Sequence, residues 1–211
     1  MKKGWLKYIV FIIVAVLLAY NSVYFKKLDA KTNTTITATE ANLSPVTFAR
    51  SFWDNTFSKA IDSAITLESF EKEFFEKGGQ ATIEKYAHSQ GVSDVAYMLL
   101  KYRGKVKEIT EDKIVLIVAD SRTNSYVFNI GNYFGNGVRD ATGLIKMGDF
   151  VNTMDYNLVS TELNKIVKTD VILPGKNKIK INDNLTIVAS VEIKNGRLDG
   201  DLLPVKIIVN N

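Results

Sequence analysis

The chain contains no cysteine, and that single absence excludes several kinds of chemistry. Disulfide stapling, thiol catalysis, cysteine-ligated zinc and lipid attachment through a lipobox thioether are all ruled out. Histidine is nearly absent too: His88 is the only one, at the end of a short helical pattern. No nucleophile-elbow sequence accompanies it, so a Ser-His-Asp arrangement has no foothold. The glycines match neither a P-loop nor a dinucleotide fingerprint. The Asp-Gly-Asp at 199–201 lacks the remaining ligands of a calcium loop and reads better as a turn. No metal and no cofactor is expected.

Positive charge is also missing where a nucleic acid would need it. The 211 residues carry a net +4, but residues 1–31 hold six lysines against one acid, Asp29. The remainder has 21 basic and 22 acidic residues, a balance without the electrostatic footprint of a nucleic-acid binder.

What is present begins with MKKGWLKYIVFIIVAVLLAYNSVYFKK. No charge interrupts the 18 residues from Tyr8 to Phe25, a length that as a helix spans roughly 27 Å, close to a hydrocarbon core. Trp5, Tyr8, Tyr20 and Tyr24 fall near the two ends, where amphipathic rings favour the membrane interface. The layout also fits a signal peptide, but no A-x-A-like cleavage site follows. We read an uncleaved anchor within residues 1–25 that contacts the membrane through residues 5–25. Three lysines flank each side of the span, so the positive-inside rule gives no vote. The short N-terminal flank and long C-terminal part point to residues 26–211 lying outside the cytoplasm. Residues 26–44, polar and threonine-rich, read as a linker.

A helical segment is expected over 45–95. Ser44 and Pro45 suit a cap and first turn, and Phe48, Phe52, Trp53, Phe57, Ala60, Ile61, Ala64 and Ile65 recur at three- and four-residue steps. Thr66 can cap a second helix that Gly78-Gly79 ends. From residue 96 the pattern turns to strands: YMLLKYRGKVKEI, KIVLIVAD and SYVFNIG, then a helix in DYNLVSTELNKIVK. KIKI, LTIVASVEI and LPVKIIV are β again, with Asn195-Gly196 as a hairpin signal. Residues 104–119 align without gaps to residues 175–190, so the expectation is an α+β chain with two small OB-like barrels, a duplicated β-unit. The first would occupy 96–170 with its helix and the second 171–211.

The stretch GVRDATGLIKMGDFVN, residues 137–152, concentrates unlike chemistry. Asp140 and Asp149 suit acid–base work or a cation, and Arg139 suits a carboxylate, a phosphate or sugar hydroxyls. Equally, Arg139 and Asp140 can pair with each other, Asp149 can accept backbone N–H groups, and Asn152 can start the next helix. Arg139, Asp140, Asp149 and Asn152 are therefore candidate ligand-binding residues, and none is assigned a catalytic role.

The run VFNIGNYFGNGVRDATGLIKMGDFVNTMDYNLVSTELN, with LTIVASVEI and LPVKIIV after it, resembles the predicted periplasmic lipoproteins called domain of unknown function 2291. The matching positions are Ile130, Gly131, Gly137, Arg139, Asp140, Ala141, Ile145, Asp149, Phe150, Asn152, Leu163 and Asn164. Departures are the missing anchor cysteine, Asn132 in place of a proline and Thr153 in place of a glutamine. The resemblance implies a membrane-tethered extracytoplasmic domain with OB-like structure. It also implies an association with ribose-type sugar ABC transporters, and no established activity. A binding or accessory protein follows, with a transporter component or a small sugar as partner. The alternative is a hydrolase acting on a sugar or nucleoside derivative through Asp140 and Asp149.

Overall fold

The computed structural model describes residues 43–90, 94–119, 121–198 and 202–210, all within one compact unit. The chain enters through helix α1, Pro45–Phe52, whose first turn is capped as expected: the Ser44 hydroxyl accepts from the Thr47 N–H. A π-helical stretch, Trp53–Phe57, carries α1 into α2, Ser58–Asp62. The two-residue strand β1, Ile65–Thr66, ends at a second cap, where Thr66 Oγ1 accepts from the Ser69 N–H and opens α3, Leu67–Lys77. Gly78, at φ 96°, turns the chain into α4, Gly79–Tyr86, and the short β2, His88–Ser89, follows.

Five strands then close a barrel: β3 (Val95–Ile109), β4 (Lys113–Ile117), β5 (Ser125–Asn129), β6 (Asn184–Lys194) and β7 (Leu202–Asn210). Around it the order is β3-β4-β5-β7-β6 and back to β3. β3 makes closure possible. Its 15 residues pair with β6 over Val95–Lys105 and with β4 over Lys105–Ile109, so one strand serves two neighbours. The closing contact of β5 with β7 is a single parallel pair, Phe128 with Leu202. Pro204, two residues further along β7, lies beyond that pair and opposite Ala189, beside a bulge against β6, one of the places where a sheet admits proline. Asn195 (φ 51°) and Gly196 (φ 72°) form the β6–β7 turn that their dipeptide predicts.

The expectation of two barrels is corrected here: one barrel takes strands from both proposed β-units. The supposed repeat has a simple physical origin. Residues 113–117 and 184–188 are both barrel strands with inward-facing aliphatics, whereas 104–109 is strand and 175–180 is loop and helix end. KIKI does not pair. Only Ile179 of its four residues is buried, and Asn182 at φ 76° turns the chain before β6.

Between β5 and β6 the chain crosses the barrel as α5 (Gly137–Asp140), a 3₁₀ turn (Met147–Asp149), α6 (Thr153–Ile166), a π-helical stretch (Val167–Ile172) and α7 (Leu173–Lys176). A five-stranded barrel in this strand order, with its helical element between the third and fourth strands, has the OB architecture. Tyr102, Met98, Leu100, Ile114, Leu116, Phe128, Leu185 and Ile187 fill it, and Phe48, Phe52, Phe57 and Leu163 bring the helices into the same core. No helix among the described residues is long and apolar enough to cross a membrane. The anchor expected over 1–25, the linker expected over 26–44 apart from its last two residues, and the Asp-Gly-Asp turn lie outside the described residues.

Candidate ligand-binding cleft

The conspicuous residues of the opening motif are placed by α5. Its four residues and the following Ala141 are buried, Arg139 at 3% exposure and Asp140 at 4%. They pair through two parallel bonds: Arg139 Nε donates to Asp140 Oδ1 at 2.7 Å and Nη2 to Oδ2 at 3.0 Å. Tyr156 of α6 closes over the pair. Its ring lies 3.6 Å from the Arg139 guanidinium carbon, and its hydroxyl donates to Asp140 Oδ1 at 3.4 Å. Burial first, and the Asp140 charge second, push the Tyr156 hydroxyl up to about 12. Arg139 Nη1 reaches on to the Tyr156 carbonyl at 3.3 Å and to Asn157 Oδ1 at 3.4 Å. A charge pair this dry depends on its two partners staying together, because either one alone would be an uncompensated buried charge.

Asp149 and Asn152 sit elsewhere along the connection, in local roles. Asp149 Oδ2 accepts from the Lys146 N–H at 2.8 Å, and Asn152 Oδ1 accepts from the Asp155 N–H at 2.8 Å as the cap of α6. The structure thus joins Arg139 to Asp140 and leaves Asp149 and Asn152 to cap their own turns. Gly143 (φ 65°) lies against His88, whose Nδ1 would be 2.6 Å from any Cβ placed there. Burial lowers His88 below its ordinary value of 6.5. Among the described residues, no cluster of three or more histidine or acidic side chains comes together.

Directly beside this seam, a cleft of about 440 Å³ opens between the loop 131–136 and one face of α6. The loop supplies Asn132, Tyr133, Phe134 and Asn136; the helix supplies Asn157, Ser160, Thr161, Asn164 and Lys165; Lys168 follows. The loop is tied down from both sides. The Gly137 N–H donates to the Tyr133 hydroxyl at 3.3 Å, and Asn164 Nδ2 donates to the Gly135 carbonyl at 2.8 Å. Lys168 Nζ bridges to Asn132 Oδ1 at 2.7 Å, and Ser160 Oγ donates to Asn136 Oδ1 at 3.1 Å. Phe134 is 94% exposed at the rim. Asn132, Asn136 and Asn157 are exposed as well, so the cleft is walled by accessible amides with one aromatic ring beside them.

Sequence reasoning passed over these amides, although a signal existed. Asn157, Ser160, Thr161, Asn164, Lys165 and Lys168 recur at steps of three and four. They form the polar face complementary to Val159, Leu163 and Ile166, which are buried.

A second cavity, about 380 Å³, lies between α3 and β5 and is walled by Phe70, Phe74, Phe75 and Tyr126. Its polar groups satisfy one another: Glu71 Oε1 accepts from Ser121 Oγ at 2.8 Å and from the Tyr126 hydroxyl at 3.2 Å. The Arg122 guanidinium stacks 3.5 Å from the Phe75 ring centroid. The amide cleft therefore offers more unsatisfied polar capacity.

Known proteins support the fold and place the chain. A crystal structure of an OB-fold protein from Thermotoga maritima matches with a TM-score of 0.69 at 22% identity, covering 80% of this chain and 99% of that one. No curated protein matches the chain. The family model described as predicted periplasmic lipoprotein (DUF2291) matches residues 13–208, and extracytoplasmic location goes with that description. With nearly its whole length matched, OB barrel and α5–α6 motif included, the chain belongs to the DUF2291 family of predicted periplasmic lipoproteins.

Proposed function

We propose that this protein is a membrane-anchored, extracytoplasmic binding or accessory module serving a ribose-type sugar ABC transport system. The observation that carries the binding half is the amide-walled cleft between loop 131–136 and α6. Exposed asparagine amides, a threonine hydroxyl and an accessible aromatic ring are the groups that hold sugar-like molecules, polar edges to the amides and C–H faces to the ring. The link to sugar uptake comes from the family resemblance. The anchor is supported by the uncharged stretch from Tyr8 to Phe25, which takes the place of the family's lipid-bearing cysteine.

A hydrolase working through Asp140 and Asp149 has weaker support. Both Asp140 oxygens already accept from Arg139, and Asp149 accepts from the Lys146 backbone.

Two measurements test the reading. In a thermal-shift panel of pentoses, hexoses and their derivatives, a ligand at about a hundred times its Kd adds about 2.7 kcal/mol. That shift should vanish in Asn136→Leu and Asn157→Leu. A panel without any shift, or a shift untouched by both substitutions, defeats the binding half. In membrane fractions the full chain should stay with the bilayer after an alkaline wash, and removing residues 1–25 should release it; a washed-off full chain defeats the anchor.

A further inference from the structure

We infer that the amide cleft selects an anionic sugar derivative, carrying a carboxylate or a phosphate, over the neutral sugar. The inference rests on the cleft being the binding site and narrows what it binds.

The first ground is which half of each amide is free. Asn132 Oδ1 is taken by Lys168 Nζ, Asn136 Oδ1 by Ser160 Oγ, and Asn157 Oδ1 by the buried Arg139 guanidinium. Each of these partners is a donor, so each bond fixes the amide with its oxygen turned to the protein and its –NH₂ left over. The three residues are exposed, so the cleft presents N–H donors. Carboxylate acceptors are absent from the lining, and the oxygens of these three amides are engaged. The Gly135 carbonyl is occupied by Asn164 Nδ2, and Asn164 Oδ1, although unpartnered, is buried beyond reach of a ligand. Neutral sugar hydroxyls donate as well as accept and gain most where carboxylates or free carbonyls are at hand, whereas a carboxylate or phosphate only accepts and suits a wall of N–H donors.

The second ground is charge. Lys165 and Lys168 line the cleft and no aspartate or glutamate does. Glu162, outside the lining, approaches Lys165 Nζ at 3.7 Å, a distance that leaves the ammonium largely free to a ligand. The residues beyond 31 carry 21 basic and 22 acidic side chains, so this cleft is a local positive exception on a near-neutral domain. Phe134 at the rim keeps a surface for the ring carbons, which favours a sugar acid or sugar phosphate over a bare anion.

The test uses the full chain in detergent and matched pairs: glucuronate against glucose, ribose 5-phosphate against ribose, with inorganic phosphate alone as a third arm. The charged member of at least one pair should raise the melting temperature while its neutral counterpart does not. The shift should shrink as salt rises from about 0.05 M to about 0.5 M. Lys165→Met/Lys168→Met should weaken binding about tenfold or more while lowering the unliganded melting temperature only slightly, since the one bond given up, Lys168 to Asn132, is exposed. Equal shifts from both members of each pair, or a charged shift that survives in the double variant, overturn the anion preference and leave the binding reading standing. A full shift from inorganic phosphate alone overturns the sugar half of the inference. No shift from any arm overturns the inference together with the binding reading.

Discussion

Residues 131–136 and 137–141 adjoin in sequence and have opposite fates. The second group, Gly-Val-Arg-Asp-Ala, is wholly buried and holds the only ion pair among the described residues in which both partners are buried. The first group presents Asn132, Phe134 and Asn136 to solvent along a cleft. The residues with the most eye-catching chemistry thus hold the scaffold, and the plain amides next to them face outward. The two are connected: Arg139, satisfied by Asp140, uses its remaining N–H to fix the Asn157 amide.

The comparison breaks most readily at the ion pair. Arg139→Met strands the Asp140 carboxylate in the core and should cost about 3–5 kcal/mol in urea unfolding. Arg139→Met/Asp140→Val should recover most of that loss, since an apolar pair of nearly the same total size suits the site. A double variant as unstable as the single would mean that the motif needs its charges for more than mutual compensation. Gly143→Ala comes next, at about 2 kcal/mol, because it puts a side chain at φ 65° and a Cβ against His88; an unchanged urea midpoint would refute the packing described. Asn152→Ala removes the α6 cap and should cost about 1 kcal/mol, read the same way.

His88 sharpens the comparison through pH. A depressed histidine binds a proton less readily folded than unfolded, so stability is full above 6.5 and declines as pH falls below that value toward the folded pKa. As the only histidine, His88 can be titrated by NMR without assignment work, and His88→Gln should remove this part of the acid dependence. At the bottom of the scale, Asn157→Leu takes one acceptor from Arg139 Nη1 but leaves it the Tyr156 carbonyl, and should cost no more than about 1 kcal/mol while abolishing ligand response. A large loss of stability there would make Asn157 part of the scaffold and erase the distinction.

What could be read in the sequence follows the range of the forces involved. Ser44, Thr66 and Asn152 were legible as caps because a cap bond spans only three residues. The strands at 95–109, 113–117, 125–129, 184–194 and 202–210 were legible from alternation and β-branched content. Closure was not, because it depends on β3 pairing with β6 some 90 residues away, with Leu100 opposite Ala189. Two similar strand patterns therefore passed for two barrels. The π-helical stretches at 53–57 and 167–172 were not read from the sequence, although the buried residues step by five from Phe52 to Phe57 and from Val167 to Ile172. Within the motif, pairing of Arg139 with Asp140 was one of the readings the sequence left open. Its dryness was not legible, because it is imposed by Tyr156, sixteen residues on. The cleft amides, drawn from a loop and a helix, meet only in the folded chain.

The most direct measurement is a titration of the ¹⁵N-labelled chain with glucuronate, following the side-chain –NH₂ resonances of Asn132, Asn136 and Asn157. The account predicts that these three shift together and saturate, while the Asn152 amide, held by Asp155, stays still. Still resonances at all three with shifts elsewhere would contradict it and move the binding site to another surface of the barrel.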